Sequence, residues 1–180
     1  MAIHHPNLKF REKFEDRSET KYIILHHVKE TGRRYDINEI HQWHLKRETN
    51  GKKWAGFGYH FFVDKDGEIF TGRPVDAIGS HTLNYNSVSV GICFEGNFDV
   101  ERMTEKQLDA SVLLISILSL VYKNARIRGH RNFNKQETCP GEKFPMEEVL
   151  ERVKKQKKRF IRLHGDPEIV DYSFLLKLLD

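Results

Sequence analysis

Tyr22-Ile23-Ile24-Leu25-His26-His27 is the stretch that decides how this chain folds. An aromatic residue followed by three aliphatic ones suits a strand buried on both faces. The run then stops on two histidines. Side chains able to titrate or ligate at the C-terminal end of a buried strand are what α/β domains use to meet their ligands. A second run of this kind, Val88-Ser89-Val90-Gly91-Ile92-Cys93-Phe94, offers a neighbouring strand. Tyr59-His60-Phe61-Phe62-Val63, the turn Asp64 to Gly67, and Glu68-Ile69-Phe70 read as a hairpin. Arg126-Ile127-Arg128-Gly129 is a short strand leading to His130.

Helices fall between these strands. Asp36 caps a helix over Ile37–Arg47, with Glu39 placed to complete a capping box. Thr104 and Gln107 form the same signature and open a helix to about Lys123. Its centre is apolar nearly all round, so it belongs in the core, covered on both sides. Pro145 precedes a basic helix that runs to about Arg162. Asp166-Pro167 then reads as the cap and first-turn proline of a short amphipathic C-terminal helix. Strands mixed with helices, two of the strands in a hairpin, predict a single α/β domain with a central mixed β-sheet flanked by helices.

The chain has 180 residues, enough for one domain with a proper core. Its 38% hydrophobic and 31% charged residues are those of a globular chain and exclude a disordered one. A net charge of +4 suits an anionic partner, and equally suits plain solubility. No nucleic-acid readout motif accompanies it, so no specific nucleic-acid partner is expected. The longest apolar run, Val112 to Val121, is about half of what a bilayer span needs. The N-terminal residues, MAIHHPNLKFREKFEDRSE, lack the apolar core of an export signal, which predicts a chain made in the cytoplasm with no membrane partner. Two cysteines, Cys93 in an apolar run and Cys139 in a polar loop, do not make a disulfide framework.

Among ten histidines, position matters more than number. His26 and His130 each end a strand, and Cys139 follows in a Cys-Pro-Gly loop. Two imidazoles and a thiolate are a three-ligand zinc set with the fourth position open to water. Spacing by itself leaves this set and a separate surface histidine and buried cysteine both open.

The order of motifs adds to this. Ile24-Leu25-His26-His27, Gly58-Tyr59-His60-Phe61, Asp66-Gly67 with Gly72-Arg73-Pro74, Gly79-Ser80-His81, Asn86 to Ile92, and Gly129-His130 with Thr138-Cys139-Pro140-Gly141 occur in sequence. That series resembles the type 2 N-acetylmuramoyl-L-alanine amidases, a family that includes phage lysozymes and the peptidoglycan recognition proteins, over about residues 21–150. The resemblance implies a mixed α/β fold with Zn²⁺ in a surface groove, held by His26, His130 and Cys139, and bacterial peptidoglycan as substrate. It selects His26 over His27, which strand alternation then points the other way as a structural residue. It implies that Tyr59 is catalytic, steadying water and the tetrahedral intermediate, and that His81 occupies a substrate-contacting groove position or a structural one. A phage or prophage endolysin, reaching the wall after release from the cytoplasm, is the implied role.

Two departures stand out. Some amidases of the superfamily carry a glutamate where this chain has Cys93, which puts the chain with the tyrosine-using branch; Glu95 lies on the same strand face. Many members carry Lys or a small hydroxyl residue where this chain has Glu137, leaving Thr138, Lys135 or Lys143 to stabilise an oxyanion. His60 is expected to be buried and hydrogen-bonded, and His41 and His44 to lie on the surface or, with Trp43, to line or flank the groove. The resemblance divides the chain into an N-terminal extension (1–20) that packs on the domain, a catalytic domain (21–160) and a C-terminal helical extension (161–180). The basic side of Arg152–Arg162 offers a surface for anionic wall polymers.

Overall fold

A computed structural model of the chain describes residues 2–49 and 51–179. The strands are β1 (Ile3–His4), β2 (Tyr22–His27), β3 (Glu48–Thr49), β4 (Lys52–Lys53), β5 (Phe61–Val63), β6 (Ile69–Thr71), β7 (Ser89–Phe94) and β8 (Arg126–Gly129). The α-helices are α1 (Ile37–Lys46), α2 (Glu105–Val121) and α3 (Met146–His164). Six strands form one sheet in the order β1-β6-β5-β7-β2-β8, and β3 and β4 make a small separate ribbon. β5, β7, β2 and β8 run parallel, while β6 is antiparallel to β5, so the sheet is mixed.

Side-chain alternation sorts the sheet into two faces. Ile23, Leu25, Phe61, Val63, Val90, Ile92 and Phe94 face a large apolar core filled by α2, which is buried nearly all round, and by the inner side of α3. Phe62 and Cys93 face a smaller cluster with Ile37 and Ile40 of α1. Asp36 caps α1 with the full capping box, and Thr104 caps α2 through its bond to Gln107 N.

The chain ends do not follow the sequence reading everywhere. β1 pairs with β6 at the sheet edge, and Arg17 reaches the carbonyls of Val75 and Ala77 at 2.8 and 2.6 Å, so the N-terminal residues wrap the domain. No α-helix starts at Asp166-Pro167. Asp166 closes only a turn, and the last helical segment is a 3₁₀ helix over Ser173–Leu178. The buried Tyr172, whose hydroxyl donates to Gly165 O at 2.7 Å, draws the chain inward before any helix can propagate. Tyr59 and His60 lie in a bend just before β5 rather than within the strand.

Candidate metal centre

Parallel pairing of β2 with β8, in which Leu25 faces Gly129, sets the next residues of each strand, His26 and His130, side by side. Their ring centroids are 4.7 Å apart. Cys139 is brought to them by its loop: Arg131 N donates to Cys139 O at 2.7 Å, and the Arg131 guanidinium holds Gly141 O at 3.0 Å. Gly129 permits this approach, because a Cβ there would lie 2.7 Å from Pro140 Cδ. One ligand atom each from His26, His130 and Cys139 falls within 4.8 Å of the others.

The donor chemistry fits a zinc ion. Tetrahedral Zn–N and Zn–S bonds place N and S roughly 3.6 Å apart, and His26 Nδ1 lies 3.7 Å from Cys139 Sγ. Burial, helped by the neighbouring His130 and His27, holds His26 well below the ordinary imidazole pKa. His130 is lowered by burial as well. Both rings are therefore neutral, as metal ligands must be. Burial pushes the Cys139 thiol up to about 12, so a thiolate there requires a cation against it.

The second nitrogen of His26 is occupied. Its Nε2 lies 3.0 Å from His81 Nδ1 and 3.3 Å from Thr82 Oγ1, which leaves Nδ1 free to face Cys139. This is the arrangement by which outer groups fix the tautomer and angle of a ligating histidine. Gly91 makes room for it, since a Cβ there would sit 2.5 Å from His81 Cδ2. His81 thus stands behind His26, while also lining the cleft. Tyr59 packs against both rings, its centroid 5.0 Å from that of His26 and 5.9 Å from that of His81. Burial raises its phenol well above the ordinary tyrosine value, so it keeps its proton and can donate it in a hydrogen bond.

These groups open onto a cleft of about 460 Å³ also lined by Lys29, His44, Arg47, Trp54, Ser80 and Glu137. Trp54 and Ser80 also border a neighbouring hollow of about 400 Å³, together with Glu12, Lys13 and Arg73. His27 points to the opposite face, as alternation requires, where Nδ1 accepts from Phe98 N at 3.1 Å. His60 is fully buried and accepts from Gly91 N at 2.9 Å. Glu95 is buried away from the cleft, taking Arg34 Nε at 2.8 and 3.0 Å and the amides of Tyr35 and Lys65 at 2.9 Å. Both cysteines are free thiols.

Two expectations need correction. His41 and His44 are buried rather than on the surface, His44 lining the cleft as the alternative reading had it, and they accept hydrogen bonds from Phe57 N and Gly58 N at 3.0 and 3.2 Å. The signal was present: Ile37, Ile40, His41 and His44 are spaced i, i+3, i+4, i+7, the buried stripe of an amphipathic helix. The suggested oxyanion groups are also elsewhere. Thr138 Oγ1 donates to Asp99 at 2.8 Å, Lys143 Nζ donates to Val100 O at 2.7 Å, and Lys135 is not among the residues lining the cleft. The cations that do line it, Lys29 and Arg47, went unremarked because neither belongs to a motif.

Fold and site together define an α/β domain that presents two imidazoles from strand ends and a thiol from a loop to an open groove. Residues 16–142 match the family described as N-acetylmuramoyl-L-alanine amidase, and the chain belongs to that family. It is 34% identical over 135 residues to the endolysin of Klebsiella phage KP32, covering 71% of this chain and 85% of that one. It is 30% identical to peptidoglycan-recognition protein SC2 of Drosophila melanogaster, over 67% of each. In three dimensions it matches the endolysin amidase LysCS from Clostridium intestinale with a TM-score of 0.77 and 31% identity, covering 84% of this chain and 95% of that one. No helix among the described residues is long and apolar enough to cross a membrane.

Proposed function

We propose that this endolysin-like amidase is zinc-dependent and hydrolyses the amide between the lactyl group of N-acetylmuramic acid and the L-alanine of the stem peptide. The observation that carries the reading is the convergence of His26, His130 and Cys139 on one point at the floor of the groove. Zinc bound by these three would supply Lewis acidity toward the amide carbonyl and toward water. The chain's own groups do the rest. His81 and Thr82 hold the ligating ring of His26 at its angle. The protonated Tyr59 phenol offers a hydrogen bond to the carbonyl carbon's oxygen as the centre becomes tetrahedral. His81 serves the substrate through His26, and by lining the cleft beside it.

A second hollow adjoining the cleft at Trp54 and Ser80 suits an extended glycopeptide better than a small amide. The phage relatives support a role as an endolysin made in the host cytoplasm and acting on the wall after release. On α3, Lys154, Lys155, Lys158, Arg159 and Arg162 are exposed on the outward side, a surface suited to anionic wall polymers.

The test is mass spectrometry of products from purified peptidoglycan, with and without a zinc chelator. The expected outcome is release of intact stem peptides with new alanine N-termini, abolished by chelation and restored by zinc. New reducing ends or internal peptide cuts would assign the wrong bond, and binding without products would make the chain a recognition module.

A further inference from the structure

The groove contains a cation whose placement no motif explains. Lys29 follows β2 by two residues, at the point where the strand that carries His26 leaves the sheet. Its backbone is in the left-handed region, φ 66°, a conformation that costs a non-glycine residue on the order of 1 kcal/mol. Two bonds enforce it: Lys29 N donates to Gly96 O at 3.0 Å, and Asn97 Nδ2 donates to Lys29 O at 3.3 Å. Beyond that turn the Lys29 ammonium lies 3.5 Å from Glu137 Oε2, and both side chains line the cleft. Glu137 sits two residues before Cys139, so the pair joins the segment that delivers His26 to the loop that delivers Cys139.

As a source of stability the pair is minor. The Lys29 side chain is 53% exposed and that of Glu137 38%, and exposed ion pairs contribute roughly 0–1 kcal/mol. The two hydrogen bonds account for the turn itself, but the weak ion pair gives stability little reason to place the ammonium over the cleft. Catalysis supplies one. Amide hydrolysis develops negative charge on the carbonyl oxygen, and a prepositioned donor aimed at that oxygen lowers the barrier. Arg47, the cleft's other cation, stacks over the Trp54 ring, 5.5 Å from its centroid. Thr138 and Lys143 are already engaged away from the cleft.

We propose that Lys29, steadied by Glu137, is a catalytic residue whose ammonium donates a hydrogen bond to the scissile carbonyl oxygen as it becomes negatively charged. No proton changes owner; the ammonium only strengthens its hydrogen bond in the transition state. Glu137 is a positioning residue, turning an acidic side chain at the groove into the means of holding a cation there. This inference rests on the amidase reading above.

The experiment compares wild type, Lys29→Ala, and Lys29→Ala combined with Glu137→Lys on soluble muramyl peptide, with bound zinc measured for each. Lys29→Ala should lower kcat about 10²-fold with KM changed less than about 3-fold and zinc content unchanged. Adding Glu137→Lys destroys any chance of the original ion pair yet returns a cation to the cleft. It should recover kcat to within about tenfold of wild type. Loss of a merely structural bridge would not be rescued this way. Full kcat in Lys29→Ala, or a double variant no better than the single, overturns the role of Lys29 while wild-type cleavage leaves the amidase reading intact. A zinc-loaded wild type that releases no stem peptide overturns both.

Discussion

On the side of the sheet covered by α2 and α3, strands β2 and β7 present Ile23, Leu25, Val90, Ile92 and Phe94. On the other side the same two strands present Ile24, His26, Gly91 and Cys93, with β2 residue His26 paired to β7 residue Cys93. The first face is apolar and continuous. Its contribution is burial, and it would stabilise almost any chemistry grafted on the opposite side. The second face has a small apolar cluster and is otherwise organised by imidazoles. His41, His44 and His60 accept hydrogen bonds from backbone amides, and His81 backs His26. One sheet therefore separates holding the fold from aiming the site, and a single-residue shift in register would exchange the two.

Paired substitutions should pull the two faces apart. Cys139→Ser keeps the loop's shape but removes the thiolate. Amidase activity should fall by at least about 10³-fold, on the order of 4 kcal/mol in the barrier, with zinc lost from the protein and the melting cooperative. Leu118→Ala, in fully buried α2, should do the opposite: about 2–5 kcal/mol of stability lost by urea titration, with kcat per folded molecule and zinc content unchanged. A Cys139→Ser protein with full activity and zinc would remove the metal centre from the account. A Leu118→Ala protein inactive below its melting transition would show that the two faces are coupled after all.

Much of this division was legible in the sequence because it depends on periodicity and on local signals. The run ending at His26-His27, the Asp36 and Thr104 caps and the all-apolar centre of α2 each name their own structure. The meeting of His26, His130 and Cys139 was legible through motif order, and strand alternation separated His26 from His27. What could not be read is what depends on distant segments meeting. β1 joins β6 across some sixty residues, with Ile3 opposite Ile69, and nothing in Ile3-His4 announces a strand. The Lys29–Glu137 pair requires a left-handed residue and a loop that meet only in three dimensions. His41 and His44 are buried because they fall in the i, i+3, i+4, i+7 stripe of α1, a position that prevails over the polarity of histidine. The C-terminal segment failed because Asp166-Pro167 is a sound start signal that the burial of Tyr172 overrides.

The smallest expected effect concerns the buried histidines themselves. His60 Nδ1 accepts from Gly91 N, so its ring proton sits on Nε2, facing Ala77 O at 2.9 Å. Burial, with the nearby Arg17 guanidinium, lowers its pKa to about 3. His44, lowered mainly by burial, stands at about 4. Above pH 6.5 these rings are neutral in folded and unfolded chains alike, and the stability they permit is fully present. Below it the unfolded chain takes up protons that the folded one refuses, so stability falls with pH, by up to about 1.4 kcal/mol per pH unit for each ring. For His60 the loss continues down to about pH 3 and for His44 to about pH 4. Urea titrations at pH 7, 6, 5 and 4.5 should show this decline. In His60→Gln the protein should be weaker at pH 7, because the ring's contacts to Gly91, Ala77 and Arg17 cannot all be kept, but the slope below pH 6 should flatten by about 1 kcal/mol per pH unit. An unchanged slope would mean that the acid sensitivity lies in other groups, and that the imidazole-lined face is held by its hydrogen bonds without depending on the neutrality of His60.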